Sequence, residues 1–407
     1  MTKGFAILLF LLPVLCVEAQ SIRLSKYRAP TALYLDADRL YNFNRYERSR
    51  FELGLTWVVP NISCPDAKYF LGQWTFKGYC AYGVGDRDLK WGGSVMLRLP
   101  TPHDVRLRLQ VFDDLERAAS RSLSDYRMLA PSLNTGFVSS RFVGVRGAVL
   151  SLTASPSRQC SYTLAFRQSW EDYRFDAQGF FYPAEMPSRH APASPFTELS
   201  ARLRSAHGMV ADLRAGRMGG ASPTHYLRGL LQYQSPLGST GLSIFAQAGA
   251  TTDGAPYSRL FDLSGTSVTP YFFKNTFLTV APNSLSSNIF AHFCLHYVTP
   301  QPLWRCFWSA PHPFLQFNAQ WGFLWGQDGD GRRQIDGIPL QSPYQGLFEP
   351  CAGINGLVHW GLLDIGVAAA YRLCPPTASY HSGSGMQNFA IAVVADFVLD
   401  RYNLIQQ

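Results

Sequence analysis

Four consecutive segments between Asn42 and Arg117 alternate apolar and polar residues, with full charges recurring at every second position of the last of them. A period of two belongs to a β-strand, whose successive side chains point to opposite faces. Phe51, Leu53, Leu55, Trp57 and Val59 fall on one face of the first segment, and Glu52, Gly54 and Thr56 on the other. Further on, Leu89, Trp91, Val95, Leu97 and Leu99 oppose Lys90, Ser94 and Arg98. Val105, Leu107, Leu109 and Val111 then oppose Asp104, Arg106, Arg108 and Gln110. A face so charged is expected to be wet, while the other is too apolar for water. A wide antiparallel barrel with lipid outside and water inside meets both demands.

The same alternation returns along the chain. Tyr162, Leu164, Phe166 and Trp170 alternate with Thr163, Ala165, Arg167 and Ser169, and Leu199, Ala201 and Leu203 with Ser200, Arg202 and Arg204. It is sharp again at Ile289–Tyr297, Leu315–Trp325, Leu363–Leu373 and Phe389–Leu399. Leu227–Tyr233 and Leu242–Ala248 read as a hairpin. Residues 118–139, 176–195, 205–224 and 326–345 read as loops, being rich in turn residues or lacking a pattern. The Thr251–Pro282 stretch mixes strand character with that of an inward-folded loop. The expected fold is all-β, a transmembrane outer-membrane barrel of about 14 strands, with 12–16 allowed and an even count favoured.

The first residues, MTKGFAILLFLLPVLCVEAQS, have a positive start, an apolar core at Phe5–Cys16 and small residues before Gln20. They read as a signal peptide, residues 1–19, cleaved after Ala19. Residues 20–41 read as a periplasmic lead-in and 42–407 as the barrel. The apolar core is short of the roughly twenty residues a spanning helix needs, and no later run reaches that length. With 28 Phe, 20 Tyr and 9 Trp, the chain has the aromatic supply for interfacial girdles.

Net charge is +8. Its arginines alternate into strands rather than forming one patch, which argues against nucleic acid and for anionic headgroups, lipopolysaccharide or anionic solutes. Arg98, Arg106, Arg108, Arg167, Arg202, Arg204, Arg228 and Arg372 all fall on expected lumen faces. They read either as an anion-attracting wall or as a salt-bridge network with Asp104, Glu171, Glu198 and Asp364.

Other constellations are weak. His292, Cys294 and His296 share one strand face, but ligands about 7 Å apart along a strand rarely converge on one ion. Asp328-Gly329-Asp330-Gly331 lacks the closing Glu of a calcium loop. His225, His292 and His359 are available to a lipase-type pair, yet no serine motif accompanies them. No metal, cofactor or enzymatic activity is expected. Of 8 cysteines, Cys16 leaves with the signal, so the mature count is odd. Cys64 with Cys80, and Cys294 with Cys306, are open as hairpin-level disulfides.

Asn44-Arg45-Tyr46-Glu47 running into Phe51–Leu55 resembles a known signature. So do GYCAYGVGDRDLKWGGSVMLRL at Gly78–Leu99, FDDLER at Phe112–Arg117 and GLFEPCAGINGLVHWGLLDIGVAAAYRL at Gly346–Leu373. They are similar to an uncharacterised outer-membrane barrel family whose members often follow a carboxypeptidase-like regulatory domain. That family is distantly similar to the BamA and TamA surface-antigen barrels. The regulatory domain, the polypeptide-transport domains and the usual terminal aromatic residue are not seen here. The resemblance implies a barrel folded by the barrel-assembly machinery. The expected role is a passive channel, transport or surface-exposed structural barrel. The alternative is a surface antigen acting in membrane assembly or surface interaction. A soluble β-sandwich or adhesin is the third reading, and it requires the oily faces to meet in a dry centre.

Overall fold

A computed structural model describes residues 22–23, 32–36, 40–44, 46–59, 72–119, 141–157, 159–175, 194–219, 223–236, 241–263, 265–266, 272, 274–281, 284–306, 308–360, 363–373 and 388–397. The expected signal peptide, Cys64, Cys374 and most of two expected loops, 118–139 and 176–195, lie outside them. The chain divides into two compact units. One comprises residues up to 206 with 210–229 and 254–258. The other comprises 207–209, 230–253 and 259 onward.

The first unit contains β1 (Ile22–Arg23), β2 (Ala32–Asp36), β3 (Tyr41–Asn44), β4 (Arg48–Val59), β5 (Gln73–Gly83) and β6 (Leu89–Arg98). It continues with β7 (Arg106–Arg117), β8 (Arg141–Ser157), β9 (Cys160–Phe175), β10 (Ser194–Ser205), β11 (Met209–Met218) and β12 (Thr224–Pro236), the last extending beyond it. Consecutive strands from β4 to β11 pair antiparallel. Each is long enough to cross a hydrocarbon layer with tilt. Two sequence readings are corrected. Residues 20–41 are not a patternless lead-in, because β2 and β3 lie end to end along β4, pairing Asp36 with Gly54 and Tyr41 with Phe51. The 205–224 loop holds β11, whose alternation is blurred by Gly216 and by Ala211 and Ala215.

The second unit builds the antiparallel ladder of β13 (Leu242–Thr251), β16 (Ile289–Val298), β17 (His312–Phe323), β20 (Leu347–Trp360), β21 (Leu363–Tyr371) and β22 (Phe389–Phe397). Two small hairpins accompany it, β14 (Phe261–Asp262) with β15 (Ser286–Ser287) and β18 (Arg332–Ile335) with β19 (Ile338–Gln341). The second lies in the expected 326–345 loop. β20 is bulged between Ile354 and Val358, where Gly356 takes φ 69°. Eighteen described strands belong to the main sheet, of which β1 and β3 are stubs, leaving sixteen.

Burial is inverted relative to a water-soluble protein. Leu53 is 55% exposed, Leu107 42% and Phe317 38%, whereas Glu52 is 5% and Arg50 0% exposed. The oily residues do not meet in a dry centre, which removes the β-sandwich reading.

Candidate functional site

The buried polar face of the first unit centres on Arg50. Its guanidinium donates to Asp114 at 2.7 Å, Glu52 at 3.1 Å and Glu47 at 3.2 Å. Lys90 reaches Glu47 at 3.0 Å and Asp86 at 2.5 Å. All six side chains are at most 7% exposed. Burying such charges is tolerable only when each is paired and hydrogen-bonded. The expectation of a wet charged face is therefore corrected at this depth, where carboxylates of β4, β7 and two adjoining turns surround the cations.

Two tyrosines reach buried carboxylates by the same device, the first of them within this network. Tyr79 of β5 lies across Gly92, its partner on β6, and donates to Asp114 of β7 at 2.5 Å. Tyr226 of β12 lies across Gly216 of β11 and donates to Glu198 of β10. A β-carbon at Gly92 or Gly216 would sit 2.3 or 2.5 Å from the tyrosine ring, so only glycine leaves the path open.

The eight arginines singled out in the sequence separate by depth. Arg167 is 1% exposed, donates to both oxygens of Glu116 at 2.9 and 3.0 Å and lies 3.5 Å from Glu171. Arg228 is buried at 3%. In the second unit Arg372 is buried and donates to Asn388 at 3.2 Å. Nearer the strand ends, Arg98 and Arg106 both grip Asp104, with side chains 50% and 42% exposed. Arg106 and Arg98 together hold the Asp104 carboxyl below the ordinary carboxylate range. Arg202 donates to Asp212 at 2.9 Å, Arg108 is half-buried and Arg204 is exposed. Of the four acids considered from sequence, Glu198 meets Arg214 at 3.6 Å, and Asp364 meets His359 at 2.6 Å.

In the second unit the polar face is covered by the chain between β13 and β16. Glu349 of β20 accepts the backbone N–H of Leu278 and of Thr279 at 2.9 Å each, and the Thr279 hydroxyl at 2.5 Å. Asn318 donates to the Thr276 carbonyl at 2.8 Å, and the Phe272 N–H to the Val393 carbonyl at 2.8 Å. Phe272 and Leu278 join a core with Phe314, Ala368, Ala370 and Ala392, where small wall residues make room. Phe277, Val280 and Leu285 form a second cluster with Leu263 and Leu347.

His292, Cys294 and His296 are all buried on this covered face, where the imidazoles pack against Phe245, Phe277 and Phe314. No metal-holding cluster occurs among the described residues. Cys80, Cys160, Cys294, Cys306 and Cys351 are free thiols, which corrects the Cys294–Cys306 disulfide. Asp328 caps a tight turn, accepting the N–H of Asp330 at 3.0 Å and of Arg332 at 2.7 Å. His225 is exposed.

No protein-family model and no curated protein matches the sequence. Among solved structures, BamA from Haemophilus ducreyi lacking POTRA domains 1–3 matches 91% of this chain and 71% of its own, at 12% identity and TM-score 0.51. The fold is that of a BamA-like outer-membrane β-barrel. CdiB from Escherichia coli (12% identity, TM-score 0.42) and from Acinetobacter baumannii (9%, 0.41) match 91% and 85% of the chain. The barrel chain spans only 64% and 56% of those two proteins.

A barrel fold explains the inverted burial. Its exposed apolar face is the lipid side, and its charged face the inside. Sequence reasoning found both faces but missed the roles of Arg50, Asp114, Tyr79 and Glu349. The Arg50–Asp114, Tyr79–Asp114 and Glu349–Leu278 bonds join residues 35–71 apart in sequence, at distances no local pattern encodes. The one available signal was a glycine at the inward positions 92 and 216.

Proposed function

We propose that the protein resides in an outer membrane, exported by a signal peptide cleaved after Ala19, and is a non-catalytic transport barrel held closed at rest. The carrying observation is the segment between β13 and β16, bonded to the polar face of its own unit through Glu349, Asn318 and Val393. The dry ion-pair network of the first unit points the same way, since six packed charged side chains leave no room there for hydrated solute. Lipid headgroups and lipopolysaccharide are its natural surroundings, and the barrel-assembly machinery its partner during biogenesis. Purified protein in a planar bilayer is expected to conduct little, and deletion of residues 264–283 to raise the conductance. Steady ohmic pores from the intact chain would overturn the closed state.

A second reading, a role in membrane assembly or surface interaction, is favoured by the likeness in fold to BamA. Depletion followed by counting the other outer-membrane proteins separates the two, since only an assembly factor lowers them all.

A further inference from the structure

Toward the end of the first unit that carries the Leu99–Val105 turn, the inward face changes character. The register runs one cross-strand row from Arg98 of β6 to Arg106 of β7, Thr153 of β8, Thr163 of β9 and Arg202 of β10. Arg108 and Ser151 stand one row deeper, and Ser161 and Arg204 one row further out. The result is a floor two strands wide, made of small hydroxyl side chains, with an arginine wall on each side. Three strand spacings separate the walls, about 14 Å along the sheet. The Thr153 and Thr163 hydroxyls lie 3.0 Å apart and are partly exposed.

Charge balance differs from that of the deep network. Arg98 and Arg106 share the single carboxylate of Asp104, while Arg202 and Arg214 share Asp212 with Glu198 3.6 Å from Arg214, so that the surplus charge of that wall is carried by Arg204. Among the described residues Arg204 has no ion-pair partner. Each wall therefore keeps positive charge on guanidinium groups in contact with water, unlike Arg50 and Arg167, which are at most 1% exposed. The buried Nε of Arg106 has no hydrogen-bond partner.

We propose that this trough binds an extended phosphate-bearing polyanion, with guanidinium groups of both walls holding phosphates and the Ser/Thr floor donating to the oxygens between them. Guanidinium forks match phosphate geometry in a bidentate manner. The wall separation exceeds the reach of one small anion, so the ligand must carry at least two charges along its length. The five-residue row holds no aromatic side chain, which disfavours single-stranded nucleic acid, whose bases need stacking partners. The trough needs only the register of β6–β10, so a conducting barrel would leave it standing.

The test uses the full chain in detergent micelles and labelled long-chain polyphosphate. Arg106→Gln with Arg108→Gln, and separately Arg202→Gln with Arg204→Gln, are each expected to weaken binding about tenfold or more. Arg146→Gln, whose side chain is 72% exposed elsewhere on the sheet, is expected to change nothing. Inorganic phosphate at equal phosphate concentration should compete poorly. Competition by lipopolysaccharide would assign the ligand to a lipid-anchored source, and its failure to a soluble one. If a double variant fails to fold, Arg204→Gln alone, at an exposed position, is expected to weaken binding severalfold. Binding that survives loss of either wall, that falls equally with Arg146→Gln, or that inorganic phosphate matches would overturn the proposal.

Discussion

Glu349 accepts the backbone N–H of Leu278 at 2.9 Å across 71 residues of sequence. The same carboxylate takes the N–H and hydroxyl of Thr279, so one wall side chain satisfies three buried donors of the covering segment. Removing it leaves all three unsatisfied, at about 1–3 kcal/mol for each buried group. Glu349→Ala is therefore expected to loosen the segment while the strands stay paired. Trypsin should then cut after Lys274, which is exposed on that segment, at least about tenfold faster than in the parent. An unchanged cutting rate would show that the segment is held by its apolar clusters alone.

The Arg50 network gives a contrast within one unit. Breaking a buried, multiply paired charge costs about 3–5 kcal/mol, whereas exposed pairs contribute about 0–1 kcal/mol. Arg50→Ala should lower the midpoint of heat-induced unfolding in detergent far more than Arg98→Ala, whose side chain is half exposed. Equal shifts would mean that the deep charges are hydrated.

Gly92 is predicted to be irreplaceable for a steric reason. Gly92→Val drives a side chain into the Tyr79 ring and moves its hydroxyl off Asp114. A destabilisation of about 1–3 kcal/mol follows from overpacking and the lost bond. Adding Tyr79→Ala should recover part of it, because the clash is gone. Additive losses in the double variant would contradict the pairing.

Asp104 sits at a turn with φ 44°, gripped by Arg98 and Arg106. Its carboxyl is held below the ordinary range, so its stabilising contribution is complete above that range and lost as pH falls through the depressed value. Protonation also frees two guanidinium groups. Polyphosphate binding should therefore strengthen as the pH falls through that depressed value, and Asp104→Asn, which tolerates the same backbone, should bind more tightly at neutral pH. Weaker binding by Asp104→Asn would mean that the carboxylate positions the arginines rather than competing for them.

The outward face of the barrel was legible in the sequence, because Phe51, Leu53, Leu107 and Phe317 alternate with polar residues and lipid tolerates nothing else there. The inward face was legible as charged but not as dry. Whether Arg50 meets water or Asp114 depends on a strand 64 residues away. β11 was hidden because Ala211, Ala215 and Gly216 weaken its alternation. The covering segment combines apolar residues with no fixed period, since its backbone is satisfied by wall side chains such as Glu349 and Asn318 instead of a ladder.

The central claim is that the apolar strand faces meet lipid. Nitroxide labels at positions 53, 107 and 317 in reconstituted bilayers should collide readily with dissolved oxygen and rarely with a water-soluble nickel chelate. A label replacing Glu52 should be shielded from both. Labels at 53, 107 and 317 shielded from both reagents, or open chiefly to the chelate, would contradict the account.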